Sequence, residues 1–265
     1  MRGVAPEAMA VEAYAEIGST QDRAFELAGR AGRSGPVACV AALAQTAGRG
    51  TRGKAWFSVS DALAMSVAFA DDPNPNRAAE RAGAGVDQAI ARASVAAGVA
   101  AHEAAERFVG PGPLTLRWPN DLLCEGRKLS GVLIERRGGV TVVGVGVNLD
   151  HRGDWPEEFA ARATTLAGCG GRCDAEAFAP ELLASLLRWR EEPREALSLA
   201  WAERERSAGT RGAFVVENTR YEGRIVSIDP FDCILLERDD GSRVRLPVAR
   251  AVRGESMLRG KDADL

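Results

Sequence analysis

Apolar and polar positions along the chain fall into distinct patterns. Unbroken apolar runs of strand length, bounded by turn-forming residues, mark buried strands: "GPVACVAALAQ" from Gly35 and "DALAMSVAFA" from Asp61. "KLSGVLIERR" and "VTVVGVGVNLD" flank Gly138-Gly139 and read as a β-hairpin. "LTLRW" is a shorter strand, halted where Pro119 removes a backbone donor. After "GST" the spacing turns helical. Ala24, Leu27, Ala28 and Ala31 share one face, Ser19 or Thr20 stands where a cap belongs, Asp22 suits the first turn, and Gly32 stops the helix. "DDPNPN" is a break. The Ala-rich stretch from Arg77 to Phe108 then predicts one helix, or two with a bend near Gly98. From Phe178 to Arg206, Leu182, Leu183, Leu186 and Leu187 form one stripe, and Pro193 divides two helices.

Near Gly209 the character changes. "GAFVVEN", "RYEGRIVSID", "CILLERDDGSRVRLPV" and "ARAVRG" are short strands with turn signals between them, Asp239-Asp240-Gly241 the clearest. Strands this closely spaced predict a small SH3-like barrel behind an α+β main domain.

Composition narrows the function classes. The 265 residues are 46% hydrophobic and 27% charged with a net charge of −3, both signs mixed throughout. That is an ordinary globular chain of one or two domains without the basic stripe of a nucleic-acid binder. From Gly209 onward ten basic side chains balance ten acidic ones, so the tail has no field to attract a polyanion. No long apolar run opens the chain, which argues against a signal peptide or membrane span. Five cysteines without framework spacing read as reduced thiols, hence a cytoplasmic expectation. Cys169 and Cys173 lack the second ligand pair of a zinc site. Of 34 cationic residues only Lys54, Lys128 and Lys261 are lysine. Codon bias accounts for part of that ratio, and makes a retained lysine informative.

Several stretches carry candidate chemistry. "QTAGRGTRGKAWFS", Gln45 to Ser58, combines glycines, which let backbone N–H groups approach an anion, with Arg49, Arg52 and Lys54. It suits a phosphate or an adenylate equally as well as a solvated basic loop, and it is neither a Walker loop nor a Rossmann fingerprint. In "RWPNDLLCEGRKLSG" Asn120 and Asp121 stand at a strand end, and a turn at "CEGR" can return Lys128, seven residues beyond Asp121, to the same mouth. An exposed Asp–Lys surface pair reads the same way. "GVGVNLD" alternates small residues with Val, leaving room beside a strand for a flat ligand before Asn148.

Ser19-Thr20-Gln21, "QTAGRGTRGKAWFS", "RWPNDLL", "GRKLSGVLIE", "GVGVNL" and "ATTLA" at Ala163, in this order, resemble biotin protein ligases over about residues 11 to 256. The resemblance implies a mixed sheet with flanking helices at 11–207 and an SH3-like domain at 208–256. It implies ATP-dependent activation of biotin to biotinyl-5′-adenylate, with Mg²⁺ as counter-ion and no dedicated protein metal site. Transfer to a lysine of a biotin carboxyl carrier protein would follow. Lys128, Arg49 and Asp121 match the catalytic positions. Ser19, Thr20, Gln45, Gly48, Arg49, Gly50, Thr51, Trp56, Lys128 and Gly131 match the biotin and adenylate contacts. Asn120 and Asn148 match groups in the vicinity of ATP and its Mg²⁺. The members are monomers or homodimers, and a sheet edge could pair with a second copy or dock the carrier.

The departures matter too. Thr51 stands where the family loop usually has an Arg that helps retain the adenylate; either Arg52 compensates or the intermediate is held more loosely. "VSDALAMS" replaces the usual loop exit, and "DPFDCILL" an Asp-Gly turn. The Ser-Thr motif begins at position 19, too early for a preceding winged helix, so operator binding is not expected. Two rivals remain: a lipoate or octanoate ligase of the same superfamily, and a non-catalytic biotin-binding protein.

Overall fold

The structure, a computed structural model, describes residues 9–31, 34–57, 59, 61–71, 86–151, 153, 155–248 and 251–253. Among these, seven strands form a mixed sheet. They are β1 (Ala10–Ile17), β2 (Gly35–Gln45), β3 (Asp61–Ala70), β4 (Leu114–Arg117), β5 (Asp121–Cys124), β6 (Arg127–Arg137) and β7 (Val140–Asp150), in the order β1-β2-β3-β7-β6-β5-β4. β1 runs parallel to β2, and the other neighbours are antiparallel. The helices are α1 (Thr20–Ala28), α2 (Val86–Val109), the single-turn α3 (Glu157–Ala160), α4 (Ala175–Glu191) and α5 (Arg194–Arg204).

Strand alternation sorts the side chains into two layers. Ala38, Val40 and Ala68 pack on Ala24 and Ala28 of α1. Their neighbours Cys39, Val67 and Phe69, with Val143, Val145 and Val147, meet the alanine face of α2 and the leucines of α4. Because β3 is covered on both faces, its sequence is an apolar run rather than an alternation. Side chains such as Phe69 and Phe178, fully buried here, are each worth about 1.5–3 kcal/mol relative to exposure.

Several expectations are corrected. β1 and the short β5 are strands where the sequence pattern gave no separate element. α1 ends at Ala28 with Gly29 behind it, ahead of the expected stop. Ser19 occupies the N-cap position, but neither it nor Thr20 caps with its side chain. α2 runs uninterrupted through Gly98. A Cβ there would lie 3.1 Å from the ring of Trp201, so the glycine makes room for a buried indole rather than a bend. Residues 77–85 of the expected helix and 72–76 of the break before it lie outside the described residues.

The tail forms an antiparallel sheet of β8 (Arg211–Val216), β9 (Thr219–Ile228), β10 (Cys233–Glu237), β11 (Arg243–Pro247) and β12 (Ala251–Arg253), ordered β11-β10-β9-β8-β12. Glu217 and Asn218, at φ 48° and 66°, make the tight turn between β8 and β9. One exposed face is laced with arginine–carboxylate pairs: Arg211–Asp239, Arg224–Glu237, Arg243–Glu237 and Arg245–Asp232. The other face joins the main core, where the Phe214 ring packs tilted against Trp118, the residue just after β4, with centroids 5.9 Å apart.

Cys124, at the end of β5, and Cys169, in the 3-10 turn Ala167–Cys169, are joined as a disulfide. This corrects the expectation of reduced thiols for these two: their spatial approach spans 45 residues and leaves no spacing signal. Cys39, Cys173 and Cys233 are free. Among the described residues no helix is long and apolar enough to cross a membrane.

Candidate active site

The sheet lays one continuous row of registered residues across all seven strands: Tyr14, Ala42, Ala64, Gly146, Gly131, Asp121 and Arg117. The middle of the row is nearly bare backbone, and the charged residues stand at its β4 end. In "GVGVN" the valines face α2 while Gly144 and Gly146 face the α1 side. A Cβ on Gly146 would come within 2.6 Å of the Trp56 ring, and one on Gly131 within 3.0 Å of both Trp56 and Lys128 Nζ. The flat group that uses this space is the Trp56 indole.

Above this floor lies a cleft of about 480 Å³, part of it open to solvent. Of the expected residues, Thr20, Gln45, Arg49, Gly50, Thr51, Trp56, Asn120, Lys128 and Gly131 line it. Ser19, Gly48, Asp121 and Asn148 do not. Gly144 and Gly146, the small residues of "GVGVNLD", also line it, as do Gln21, Ser66 and Leu133; of these last three, only Gln21's place in "GSTQ" gave a sequence signal.

One end is a buried polar cluster. Gln45 Oε1 accepts from the Thr20 backbone N–H at 2.8 Å and from its hydroxyl at 3.1 Å, and Thr20 Oγ1 lies 2.8 Å from Ser66 Oγ. Free of capping duty, Thr20 faces the cleft. Ser19 Oγ and Gln21 Oε1 are buried without a hydrogen-bond partner. A buried acceptor left unpaired costs about 1–3 kcal/mol, so Gln21 Oε1, the one of the two whose residue lines the cleft, favours a ligand that offers an N–H donor.

The loop from Gly48 to Trp56 folds back on itself. Trp56 N–H donates to Gly48 O, Arg49 bridges Ala55, and Gly50 N–H donates to Lys54 O around the 3-10 turn Thr51–Gly53. The Gly50 amide, expected to meet an anion, is therefore engaged inside the loop. Gly48 leaves room for Gln45, whose Nε2 would lie 3.1 Å from an added Cβ. The side chain of Arg52, the expected compensator, lies outside the described ones. Arg49 is tied down by acids from two other elements. Its guanidinium donates to both oxygens of Asp22 at 2.7 and 2.8 Å and to Glu135 Oε2 at 3.0 Å; Gln21 Nε2 donates to the same Glu135 oxygen. This bonding holds the Asp22 carboxyl below its ordinary value.

At the other end, Glu125 and Gly126, both at positive φ, turn the chain between β5 and β6. A bulge in β6 opposite Leu122 and Leu123 then re-aims Lys128 toward Asp121. Lys128 Nζ lies 2.6 Å from Asp121 Oδ1 and 5.6 Å from the Trp56 ring centroid. Arg117 donates to Asp121 Oδ2 at 2.7 Å. The Asp121 side chain is only 15% exposed. Burial by itself would raise its pKa, but the charges of Lys128 and Arg117 outweigh it and hold the carboxyl below the ordinary value. The expected Asp–Lys approach across the turn is thus present, with Arg117 as a third member.

The two asparagines bond to backbone. Asn120 Nδ2 donates to Val132 O at 2.6 Å. Asn148 Nδ2 donates to Thr164 O at 3.0 Å, and Thr164 N–H donates to Lys128 O at 2.9 Å. The "ATTLA" stretch is therefore a strap across β6 and β7, beside the strand that carries Lys128. Among the described residues no cluster of three or more His, Cys, Asp or Glu side chains could hold a metal ion.

A cleft with a glycine floor, a buried amide–hydroxyl cluster at one end and a half-buried Arg–Asp–Lys trio at the other is built for an elongated ligand with a neutral polar head and an anionic tail. Residues 17–151 match the model of the biotin/lipoate A/B protein ligase family. The chain is 31% identical over 192 residues to a biotin–[acetyl-CoA-carboxylase] ligase of Mycobacterium tuberculosis, covering 68% of this chain and 65% of that one. It is 32% identical over 187 residues to the Paracoccus denitrificans protein of the same name, covering 67% and 72%. The fold is similar to that of an Aquifex aeolicus biotin protein ligase in complex with biotin and ATP, with a TM-score of 0.72, 22% identity and 92% and 98% of the two chains covered. The chain belongs to the biotin/lipoate A/B protein ligase family.

Proposed function

We propose that the chain is an ATP-dependent biotin–protein ligase. The observation that carries this reading is Lys128, held 2.6 Å from Asp121 at the rim of a cleft whose opposite end is the Thr20–Gln45–Ser66 cluster. A cyclic urea presents two N–H donors and one carbonyl, which suit the unpartnered Gln21 Oε1 and the Thr20 and Ser66 hydroxyls that line the cleft with it. The valerate chain runs beside the Trp56 indole, and its carboxylate reaches Lys128.

In the first step a carboxylate oxygen attacks the α-phosphorus of ATP; a P–O bond forms and the bond to pyrophosphate breaks. Two anions must meet, and Lys128 donates to both the carboxylate and an α-phosphate oxygen. Arg49 and the loop close over the adenylate. Mg²⁺ arrives with ATP as its counter-ion. In the second step a lysine amine of a biotin carboxyl carrier protein attacks the acyl carbon, AMP leaves with the bridging oxygen, and the amine proton is lost. Asp121 orients the incoming amine as Lys128 follows the departing phosphate, and the proton passes to solvent. Asn120 and Asn148 support the nucleotide side by fixing the backbone around it.

The catalytic unit is placed at residues 11–207 and the tail, as an SH3-like domain, at 208–256, in a cytoplasmic monomer or homodimer. Biotin-dependent ATP–pyrophosphate exchange, then transfer of labelled biotin to a carrier domain, tests the reading. Lipoate and octanoate run in parallel, because an alkyl or dithiolane tail would leave the Thr20–Gln45 cluster unmatched. Biotin binding without pyrophosphate exchange would instead support the non-catalytic alternative.

A further inference from the structure

Asp121 divides its two oxygens between two cations on its two neighbouring strands: Oδ1 to Lys128 on β6 and Oδ2 to Arg117 on β4. Arg117 and Asp121 are register partners in the β4–β5 hairpin, so both side chains leave the sheet on the cleft side at the same level. Arg117 is not among the residues lining the cleft; it reaches the site through its bond to Asp121. Its backbone is held from behind, since the next residue, Trp118, is buried against Phe214.

Charge balance gives this arrangement a use. A buried carboxylate paired with one ammonium cancels most of that ammonium's pull on an incoming anion. A carboxylate shared by two cations leaves the trio with a net positive charge, and the guanidinium fork takes up one oxygen so that the other stays fixed.

We infer that Arg117 is a positioning residue for the reaction: by holding Asp121 Oδ2 it fixes where Lys128 Nζ stands and preserves the attraction of Lys128 for a carboxylate or phosphate. The catalytic consequence rests on the ligase reading above; the placement of Lys128 does not. Without Arg117, Asp121 turns both oxygens to Lys128 and draws the ammonium away from the cleft.

A double-mutant cycle tests the dependence on Asp121. Arg117→Gln is expected to lower kcat/KM for biotin in pyrophosphate exchange about tenfold or more, yet less than about twofold when Asp121→Asn is already present. Arg117→Lys, which keeps a cation at this level, is expected to recover activity to within about threefold of wild type. A readout independent of activity comes from the chain's composition: with three lysines, selective ¹⁵N-lysine labelling gives at most three side-chain ammonium signals. That of Lys128 is expected to move in Arg117→Gln and to return in Arg117→Lys. Additive losses in the cycle, or a Lys128 signal unchanged in Arg117→Gln, overturn the role. Should Arg117→Gln not fold, a folded Arg117→Lys with neither activity nor signal restored overturns it as well. A wild-type chain without biotin-dependent exchange sinks the ligase reading, and the Lys128 signal alone then decides on Arg117.

Discussion

Gly131 and Gly146 face each other across β6 and β7, and the Trp56 indole lies over both. The tryptophan of the ligand loop is therefore seated on two strands of the sheet, and loop position and sheet sequence depend on each other. An alanine methyl at Gly146 would come within 2.6 Å of a ring with backbone beneath it, whereas at Gly131 part of the clash is with the flexible end of Lys128. Gly146→Ala should weaken biotin binding at least about tenfold, and Gly131→Ala less, since overpacking costs roughly 1–3 kcal/mol where nothing can yield. Titration calorimetry with biotin reads both, and equal affinities for wild type and Gly146→Ala would refute the seating of the loop.

Lys128→Arg keeps the charge but replaces a compact three-donor ammonium with a planar fork. With Asp121 at 2.6 Å on one side and Trp56 on the other, the larger group has no place to bridge a carboxylate and a phosphate. Pyrophosphate exchange is expected to fall roughly 100-fold or more, the scale seen when a transition-state donor is lost. Near-normal exchange would show that charge alone suffices.

Arg49 latches the loop to Asp22 and Glu135. These side chains are between a quarter and a half exposed, so the latch adds little to stability, about 0.5 kcal/mol after screening, and is weakened by salt. Asp22→Asn should leave the unfolding midpoint nearly unchanged while speeding release of biotinyl-adenylate several-fold, an effect that raised ionic strength mimics in wild type. Thr51→Arg should slow release. Identical rates for wild type and Thr51→Arg would end the idea that Thr51 loosens retention.

The depressed Asp121 carboxyl stabilises the fold with a definite pH sign. Its contribution is fully present above the unfolded value near 3.8 and is lost as pH falls through the lower folded value. Asp121→Asn leaves Arg117 and Lys128 facing each other unpaired, so it should be clearly less stable than wild type near neutral pH. The gap should close as pH drops below 3.8. Thermal midpoints across that range check the sign, and a gap that widens on acidification contradicts it.

Trp118 and Phe214 couple the tail to the turn that carries Asn120 and Asp121. Phe214→Ala empties a fully buried position and should cost about 3–5 kcal/mol. In the protein that remains folded, kcat should drop although no atom of the cleft has changed. Denaturant unfolding and single-turnover transfer separate the two effects; unchanged kcat at full folding would confine the tail to a purely stabilising part.

Much of this was legible in the residues. The β6–β7 hairpin, the apolar runs of β2 and β3, the break at Pro193 and the approach of Lys128 to Asp121 all follow from local pattern or from one turn. β1 was missed because an edge strand of Ala and Glu carries no clean alternation. Asp22 read as an ordinary first-turn acid and Glu135 as a strand residue; only the fold brings both to Arg49. Cys124 with Cys169, and Gly98 beneath Trp201, are likewise contacts between distant segments, for which a single sequence holds no signal.

The arginine lattice on the tail sheet bears on the chemistry of the proposed intermediate. A mixed acyl–phosphate anhydride reacts with amines, and a guanidinium that stays protonated is a poor nucleophile toward it. With 3 lysines among 34 cationic side chains, nearly all of the molecule's positive charge sits in groups that its own activated product leaves unmodified. Such a surface can hold its solubility and ion pairs beside a leaking acylating agent without being consumed by it.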